Sequence, residues 1–81
     1  MLESLKSINK TIGIKQTSRA IEEGLVQKVI VAQDVDESYV ENLIELCKAN
    51  SIEVLGVESK KYLGKISGID VSAAVVGILK Q

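Results

Sequence analysis

Residues 28–47 read KVIVAQDVDESYVENLIELC, and this stretch decides the fold. Its first five residues, Lys28 to Ala32, form an unbroken and largely β-branched apolar run, which is typical of a strand buried on both faces. Further along, apolar residues recur at the i, i+3, i+4 and i+7 spacing of one helix face, at Val40, Leu43, Ile44 and Cys47. That spacing predicts a helix over about residues 37–49. A buried strand followed by an amphipathic helix indicates an α/β fold.

Similar patterns outside this stretch predict the remaining elements. Before the strand at 28–32 we expect a helix over 2–10, a very short strand near 12–14, and a helix capped by Thr17 or Ser18 that ends near Glu23 before Gly24. The helix at 37–49 should begin with a Ser38/Glu41 capping box and stop at Asn50. After it we expect a strand at 52–57, a helix from a Ser59 cap to Lys65 or Ile66, and a strand over 73–79. Strands that are apolar on both faces need helices on both sides. We therefore predict a three-layer α/β/α sandwich with a small mixed sheet, as one domain over residues 1–81.

Composition limits the size and the location of the protein. The 81 residues are 46% hydrophobic and include no Phe, Trp or Pro, so a single core of aliphatic side chains is expected. Cys47 is alone, which rules out an internal disulfide, and its place on the apolar helix face favours a core thiol without a chemical role. No stretch approaches the roughly 18 apolar residues of a membrane span, and no secretory signal is recognised. We expect a soluble cytoplasmic protein with no membrane partner.

Charge is divided unevenly along the chain, although the net charge is only −1. Residues 1–19 carry four basic side chains and one acid, residues 20–58 carry nine acids and two lysines, and residues 59–81 carry four lysines and one acid. A net charge near zero argues against a nucleic-acid-binding protein. If the two ends of the chain meet in the fold, however, they form a basic face opposite an acidic one.

Several chemical functions lack the residues they need. The chain has no His and a single Cys, so the usual general base and the usual zinc ligands are missing. One acidic group could hold Ca²⁺ or Mg²⁺ or could instead be a helix start with a solvated face: Asp34, Asp36, Glu37, Glu41 and Glu45. Its spacing does not fit an EF-hand, and neither GxGxxG nor the Walker lysine motif occurs. We predict no catalytic residue, no metal site, no cofactor and no enzyme activity.

The first positive signal is Gly13-Ile14-Lys15-Gln16-Thr17-Ser18-Arg19. The i, i+4 spacing places Lys15 and Arg19 on one helix face with Gln16 beside them, and Gly13 allows another backbone to come close. Helix N-terminal amides favour phosphate, while Lys, Arg and Gln can bond to base edges. Taken alone, this segment is more typical of an ordinary exposed helix start than of an RNA-binding site.

The second signal is the lysine-rich segment 59–65 and the loop that follows it. Lys60, Lys61 and Lys65 lie within about one and a half helical turns, as on many solvated faces. The loop Gly68-Ile69-Asp70-Val71 carries two apolar side chains, which either fill the core or form a platform for unstacked bases. Because the chain has only two aromatic residues, recognition of a folded RNA shape fits better than stacking on a single strand.

These segments resemble the kink-turn RNA-binding ribosomal-protein family (the L-seven-Ae, L-thirty-e and Gadd superfamily), especially its small bacterial YbxF-like members. The resemblance covers nearly the whole chain. Its motifs are Gly13-Ile14-Lys15-Gln16-Thr17 with Arg19, Glu23-Gly24, the run from Val29 to Asp36, Ser59-Lys60, Leu63-Gly64-Lys65, Gly68-Ile69-Asp70-Val71 and Ala73-Ala74. Several ordered motifs at these separations are far more specific than either segment alone.

The resemblance implies an α/β/α sandwich that binds kink-turns, which are RNA elements bent sharply at tandem sheared G·A pairs. It gives Lys15, Gln16 and Arg19, after Gly13, the role of reading guanines, since they stand where archaeal and eukaryotic relatives have Asn, Glu and Lys. It places Asp36 near a flipped-out nucleotide. The loop residues Ile69, Asp70 and Val71 would pack on bulged bases, although this chain lacks the Arg or Pro of some relatives, and Lys60 and Lys65 would contact the RNA backbone.

We therefore expect a monomeric, non-enzymatic RNA-binding protein that recognises and stabilises kink-turns in ribosomal RNA, riboswitches or other structured RNA, with the ribosome as a candidate partner. The alternative is a ribosome-associated protein-interaction module that uses the acidic face at residues 34–45. Affinity that follows the tandem G·A pairs rather than a protein partner would separate the two.

Overall fold

The computed structural model describes residues 8–80 and confirms the predicted α/β class. In chain order the elements are β1 (Lys10–Ile12), α1 (Ile14–Glu22), β2 (Val26–Ala32), α2 (Glu37–Ala49), β3 (Glu53–Val57), α3 (Lys60–Ser67) and β4 (Val75–Leu79). The helix at 37–49 lies where the apolar spacing placed it, and Asn50 ends it as predicted. Ser59 also caps α3 as predicted, since its hydroxyl accepts a hydrogen bond from the backbone N–H of Tyr62 at 3.0 Å.

The sheet is mixed, with the strand order β1-β4-β2-β3. Strand β4 runs antiparallel to both β1 and β2, whereas β2 and β3 are parallel. Strands β1, β2 and β3 therefore finish at the end of the sheet where β4 begins, which we call the C-terminal end. Each of the three described helices starts there, immediately after a strand. Polar loops and helix N-termini are thus gathered at one end of the molecule, as in other open α/β sheets.

Helices cover both faces of the sheet, which confirms the three-layer sandwich. On one face, α1 and α2 bury Ile21, Leu43 and Cys47 against β2 and β4. On the other face, α3 buries Leu63 and Ile66 against the opposite sides of the same strands and against β3. Strand β2 contributes to both layers, which explains its unbroken apolar sequence. Cys47 is fully buried, as the helix spacing predicted.

The first part of the chain differs from the prediction. Helix α1 begins at Ile14, not at a Thr17 or Ser18 cap, because Gly13 turns the chain with φ 94° directly after β1. Thr17 is instead fully buried inside the helix. The short strand expected near 12–14 lies at 10–12, so Lys10 belongs to a strand and not to the predicted helix over 2–10. Residues 2–7 of that predicted helix lie outside the described residues.

The cap of α2 and the start of β4 were also predicted wrongly. The N-cap of α2 is Asp36, whose side chain accepts from the N–H of Ser38, so the Ser38/Glu41 capping box does not form. Strand β4 begins at Val75 and not at residue 73. The N–H of Ala73 donates to the carbonyl of Lys60 at 3.1 Å, which holds this residue against the start of α3 and outside the β ladder.

Candidate functional site

Backbone hydrogen bonds join the loops at the C-terminal end of the sheet. The N–H of Gly13, before α1, donates to the carbonyl of Val75 at 2.8 Å. The N–H of Gln33, after β2, donates to the carbonyl of Val57 at 2.8 Å. With the bond from Ala73 to Lys60, these contacts connect all four loops to one framework. Side chains on these loops therefore have fixed positions relative to one another.

Helix α1 presents three of the predicted site residues to solvent. Lys15, Gln16 and Arg19 are exposed, whereas Thr17, Ala20 and Ile21 face the core. No side chain caps the helix, and its first turn contains no acid, so the first amide groups stay open to an anionic ligand. Neither Lys15 nor Arg19 forms an ion pair with a residue between 8 and 80.

Gly13 gives this helix start its conformation. Its φ of 94° is one that other residues rarely adopt, and the position where a Cβ would stand has no atom within 4 Å. The open space agrees with the expectation that another molecule can approach the backbone here. The turn before α1 requires glycine whether or not a ligand binds. The presence of Gly13 therefore has a structural explanation as well as a functional one.

Three residues, Thr11, Thr17 and Gly77, set the distance between α1 and the sheet. The sequence analysis did not identify this contact. The hydroxyl oxygens of Thr11 and Thr17 lie 2.8 Å apart and share a hydrogen bond. A Cβ on Gly77 of β4 would lie 2.6 Å from Thr11 Oγ1 and 2.9 Å from Thr17 Cγ2. Only glycine leaves room for this contact. The available signal was a glycine inside an apolar strand, which often marks a close approach of another element.

The loop after α3 contains the other two apolar candidates, which differ in burial. Ile69 is half-buried and packs against the core on the α3 side, whereas Val71 is 69% exposed. The carbonyl of Val71 lies directly against Gly64, where a Cβ would meet it. An open depression of about 580 Å³ follows this loop, lined by Lys61, Lys65, Gly68, Ile69, Asp70, Val71 and Ser72. Apolar and cationic groups thus adjoin one another on an accessible surface.

A second depression, of about 770 Å³, lies between the starts of α2 and α3. It is lined by Asp34, Val35, Asp36, Ser38, Tyr39, Lys60, Ser72 and Ala74. One oxygen of Asp36 accepts from the N–H and the hydroxyl of Ser38, at 3.1 and 3.0 Å, so this predicted site residue also caps α2. Asp34 was considered only as one of the acids of residues 34–45, yet its carboxylate accepts a hydrogen bond from the N–H of Lys60 at 2.9 Å and joins the two helix starts.

The structure thus brings Lys15, Gln16, Asp36 and Lys60 to the same end of the sheet, and the loop 69–71 lies beside α3 next to Lys61 and Lys65. Arg19 lies one turn further along α1, and Lys65 lies one turn further along α3. The acids listed as possible metal ligands do not converge: residues 8–80 contain no group of three or more His, Cys, Asp or Glu that could hold an ion. Among the same residues, no helix is long and apolar enough to cross a membrane.

Comparison with known proteins gives a consistent set of relatives. The model of the ribosomal protein L7Ae/L30e/S12e/Gadd45 family matches residues 2–81. A protein named RNA-binding protein from a Geobacillus species is 42% identical over 79 residues, covering 96% of each chain. RNA-binding protein YbxF of Geobacillus stearothermophilus is 44% identical over 69 residues, covering 85% of this chain and 84% of its own. These names do not favour the alternative of a protein-interaction module.

Solved structures share the fold. A Giardia lamblia protein described as a 15.5kD RNA binding protein superposes with a TM-score of 0.83 at 25% identity, covering 89% of this chain and 61% of its own. A Bacillus halodurans protein of unknown function gives a TM-score of 0.81 at 25% identity, covering 88% of this chain and 71% of its own.

Proposed function

The chain belongs to the ribosomal protein L7Ae/L30e/S12e/Gadd45 family, and from this premise we propose that it is a non-enzymatic RNA-binding protein that recognises and stabilises kink-turns. The proposal assigns the reading of the RNA to the exposed start of α1. Relatives at 42–44% identity carry the name RNA-binding protein, which supports the general activity. The kink-turn as the element recognised is the finer part of the proposal.

The observation that carries the proposal is the first turn of α1. Its amide groups lack a side-chain cap, and Lys15 and Gln16 project from it into solvent. An anionic ligand with an accessible groove satisfies these groups. Its phosphates bind favourably at a helix start, and Lys and Gln can hydrogen-bond to guanine edges in the groove. A-form RNA hides its deep groove from side chains, so the ligand must be an RNA whose groove is widened. A kink at tandem sheared G·A pairs supplies such a groove.

The loop at 69–71 and the depression between α2 and α3 supply a second contact. Exposed Val71, the Lys61 and Lys65 side chains and the backbone of the loop form an accessible surface beside α3. We propose that unpaired nucleotides of the kink pack on Val71 and that Lys60 and Lys65 contact phosphates. Asp36 lies at the rim of the neighbouring depression, and the proposal places a flipped-out nucleotide there.

Binding of this kind selects one conformation of the RNA. A flexible RNA that samples straight and kinked forms moves toward the kinked form when only that form binds. Few basic side chains lie on this face, so the proposal also expects a modest salt dependence that reports only a few phosphate contacts. The protein would act as a monomer, with a ribosomal or regulatory RNA as its partner.

The decisive experiment is a titration of the protein into a labelled kink-turn RNA and into the same RNA with its tandem G·A pairs changed to Watson–Crick pairs. Fluorescence energy transfer between the two arms reports bending and binding together. Tight binding to the first RNA alone, with bending, is expected. Equal binding to both RNAs, or a steep salt dependence of binding to unstructured RNA, would contradict kink-turn recognition and indicate general electrostatic attraction.

A further inference from the structure

The outer edge of β3 has unpaired backbone groups. Strand β3 pairs with β2 on one side and is the last strand of the sheet. The carbonyl of Val57 accepts a hydrogen bond from Gln33, so the polar groups of Val57 face β2. These groups alternate along a strand, so the N–H and C=O of Val54 and Gly56 point away from the sheet. Within residues 8–80, neither residue forms a backbone hydrogen bond outside the β ladder.

An apolar groove lies beside this edge, between β3 and α2. It measures about 240 Å³ and is lined by Val31, Ala32, Gln33, Val35, Glu37, Val40, Ile44, Val54, Leu55 and Gly56. Gly56, the fourth of the five residues of β3, is exposed, and the side chain of Gln33 is the nearest group to the space where its Cβ would stand. Exposed edges of this kind are usually shortened, bulged or covered in proteins, because they pair readily with another strand.

Helix α2 lines the same side with acidic residues. Glu37, Glu41 and Glu45 are exposed and follow one another at i, i+4 spacing, next to Ile44. Like charges at this spacing destabilise a helix, and none of the three forms an ion pair with another residue in the described part of the chain. Glu37 stands in the first turn, where the helix dipole favours an acid, but Glu41 and Glu45 lie beyond it. The basic side chains of a cationic partner would offset the repulsion among these three carboxylates and be attracted to them.

We propose that the free edge of β3 binds an extended, cationic peptide segment of a partner protein, which adds to the sheet as a fifth strand. Its backbone pairs with Val54 and Gly56. Two kinds of side chain share its α2 side: apolar side chains enter the groove beside Ile44, and Arg or Lys side chains meet the stripe of Glu37, Glu41 and Glu45. This mode of recognition takes affinity from main-chain hydrogen bonds and specificity from the side chains on one face.

A second copy of this chain is a poorer occupant of the same edge. If two β3 strands paired about a two-fold axis perpendicular to the sheet, both α2 helices would lie on the same face. The two acidic stripes would then come close together, with only Lys48 of each α2 to offset them. Charge therefore favours a basic partner over self-association.

The test uses the full chain and, as a probe, the peptide acetyl-Thr-Val-Thr-Arg-Thr-Val-Thr-Arg-Thr-amide, whose Val and Arg side chains share one face of an extended strand. In the free protein we expect the N–H groups of Val54 and Gly56 to exchange with solvent faster than those of Leu55 and Val57. Addition of the peptide should protect the Val54 and Gly56 amides, with saturable shifts of NMR signals confined to β3 and α2. A peptide with Glu in place of Arg should not bind, and one with Pro in place of Val should bind at least tenfold more weakly.

A matched pair of charge-reversed variants separates this site from general electrostatics. Glu41→Lys/Glu45→Lys should weaken peptide binding at least tenfold, whereas Glu22→Lys/Glu23→Lys, which makes the same change at the end of α1, should leave it within twofold. Three results would each overturn the proposal: Val54 and Gly56 amides that are already protected in the free protein, no saturable binding, or an equal loss in both variants. RNA affinity measured on the same variants keeps this outcome separate from the proposed RNA function.

Discussion

The hydroxyl of Thr17 in α1 lies 2.8 Å from the hydroxyl of Thr11 in β1, and the two share a hydrogen bond. Thr17 is fully buried, so the bond lies between the helix and the sheet at the point where Gly77 lets them approach. It holds the middle of α1 only a few residues from Lys15 and Gln16. The orientation of the proposed RNA-reading side chains therefore depends on a buried polar pair.

We expect Thr17→Val to lower the free energy of unfolding by about 1–2 kcal/mol, because it leaves the Thr11 hydroxyl without its partner. Denaturant unfolding followed by circular dichroism measures the loss. Thr17→Ser, which keeps the hydroxyl, should lose much less. The RNA affinity of Thr17→Val should also fall, although neither threonine is exposed enough to be a principal RNA contact.

The double variant Thr11→Val/Thr17→Val gives an independent check. Replacing both partners removes the unpaired hydroxyl, so the double variant should be less destabilised than the sum of the two single variants. Simple additivity would show that the hydrogen bond contributes nothing and that the losses come from altered packing.

Gln16→Ala and Arg19→Ala should each weaken binding to a kink-turn RNA by about 1–3 kcal/mol, because each removes a side chain proposed to contact a base edge. Both residues are exposed, so the free energy of unfolding should change by less than about 0.5 kcal/mol. Titration of labelled RNA at fixed salt measures the affinity. Lys48→Ala, which removes an exposed cation from α2, is the matched control. Unchanged affinity in both test variants would contradict the assignment of α1 as the reading helix.

Residues with a clear periodic pattern allowed the fold to be predicted. The run at 29–32 identified β2 because it is short and largely β-branched, and the spacing from Val40 to Cys47 identified α2 because it follows the helical period. The start of α1 was misplaced because Thr17 and Ser18 are typical capping residues, whereas the actual turn depends on the φ of Gly13. Local sequence could not show that Thr17 has a buried partner six residues earlier.

The residues of the candidate site could be predicted from the sequence, but the hydrogen bonds that hold them in place could not. The motifs around Lys15 and Ile69 identified residues that the structure places at the start of α1 and in the loop beside α3. Asp34 was read only as one acid among several, because its partner is the backbone of Lys60, 26 positions away. Contacts between residues so far apart in the sequence depend on the tertiary arrangement and leave no periodic signal in the sequence. Roles in RNA binding assigned to these residues stay predictions.

Gly64→Ala should destabilise the protein by about 1–3 kcal/mol, because the new methyl group would collide with the backbone of the loop after α3. A Cβ at residue 64 would meet the carbonyl of Val71 and lie 3.0 Å from the Cα of Ser72. The loop must shift, so RNA affinity should fall together with stability. Thermal unfolding and RNA titration measure the two effects.

Gly56→Ala is the matched control for that substitution. The three atoms nearest to a Cβ at Gly56 all belong to the side chain of Gln33, whose amide group, at 2.6 Å, can rotate away. Its stability should stay within about 0.5 kcal/mol of the unchanged protein. If Gly64→Ala is equally harmless, the loop is not held against α3 as described.

The stability of the protein should decrease at alkaline pH through Cys47. Burial raises the pKa of this thiol above its ordinary value, so the folded state keeps the proton at a pH where the unfolded chain has lost it. Stability from this group is fully present below the unfolded pKa and is lost as pH rises through the folded pKa. Denaturant unfolding between pH 7 and pH 10 should therefore show a fall that is smaller in Cys47→Ala. An identical pH dependence in the two proteins would contradict the inference.

Asp34→Ala should lower the free energy of unfolding by about 1 kcal/mol, because the N–H of Lys60 at the start of α3 loses its acceptor. Asp34→Asn is the sharper comparison, since its amide oxygen can still accept the bond and should restore most of the stability. In the RNA titration, Asp34→Ala should also weaken binding, because Lys60 and the loop after α3 lose their connection to the β2–α2 loop. A loss of RNA affinity that is as large in Asp34→Asn as in Asp34→Ala would show that the carboxylate charge, and not the hydrogen bond, is what the RNA surface requires.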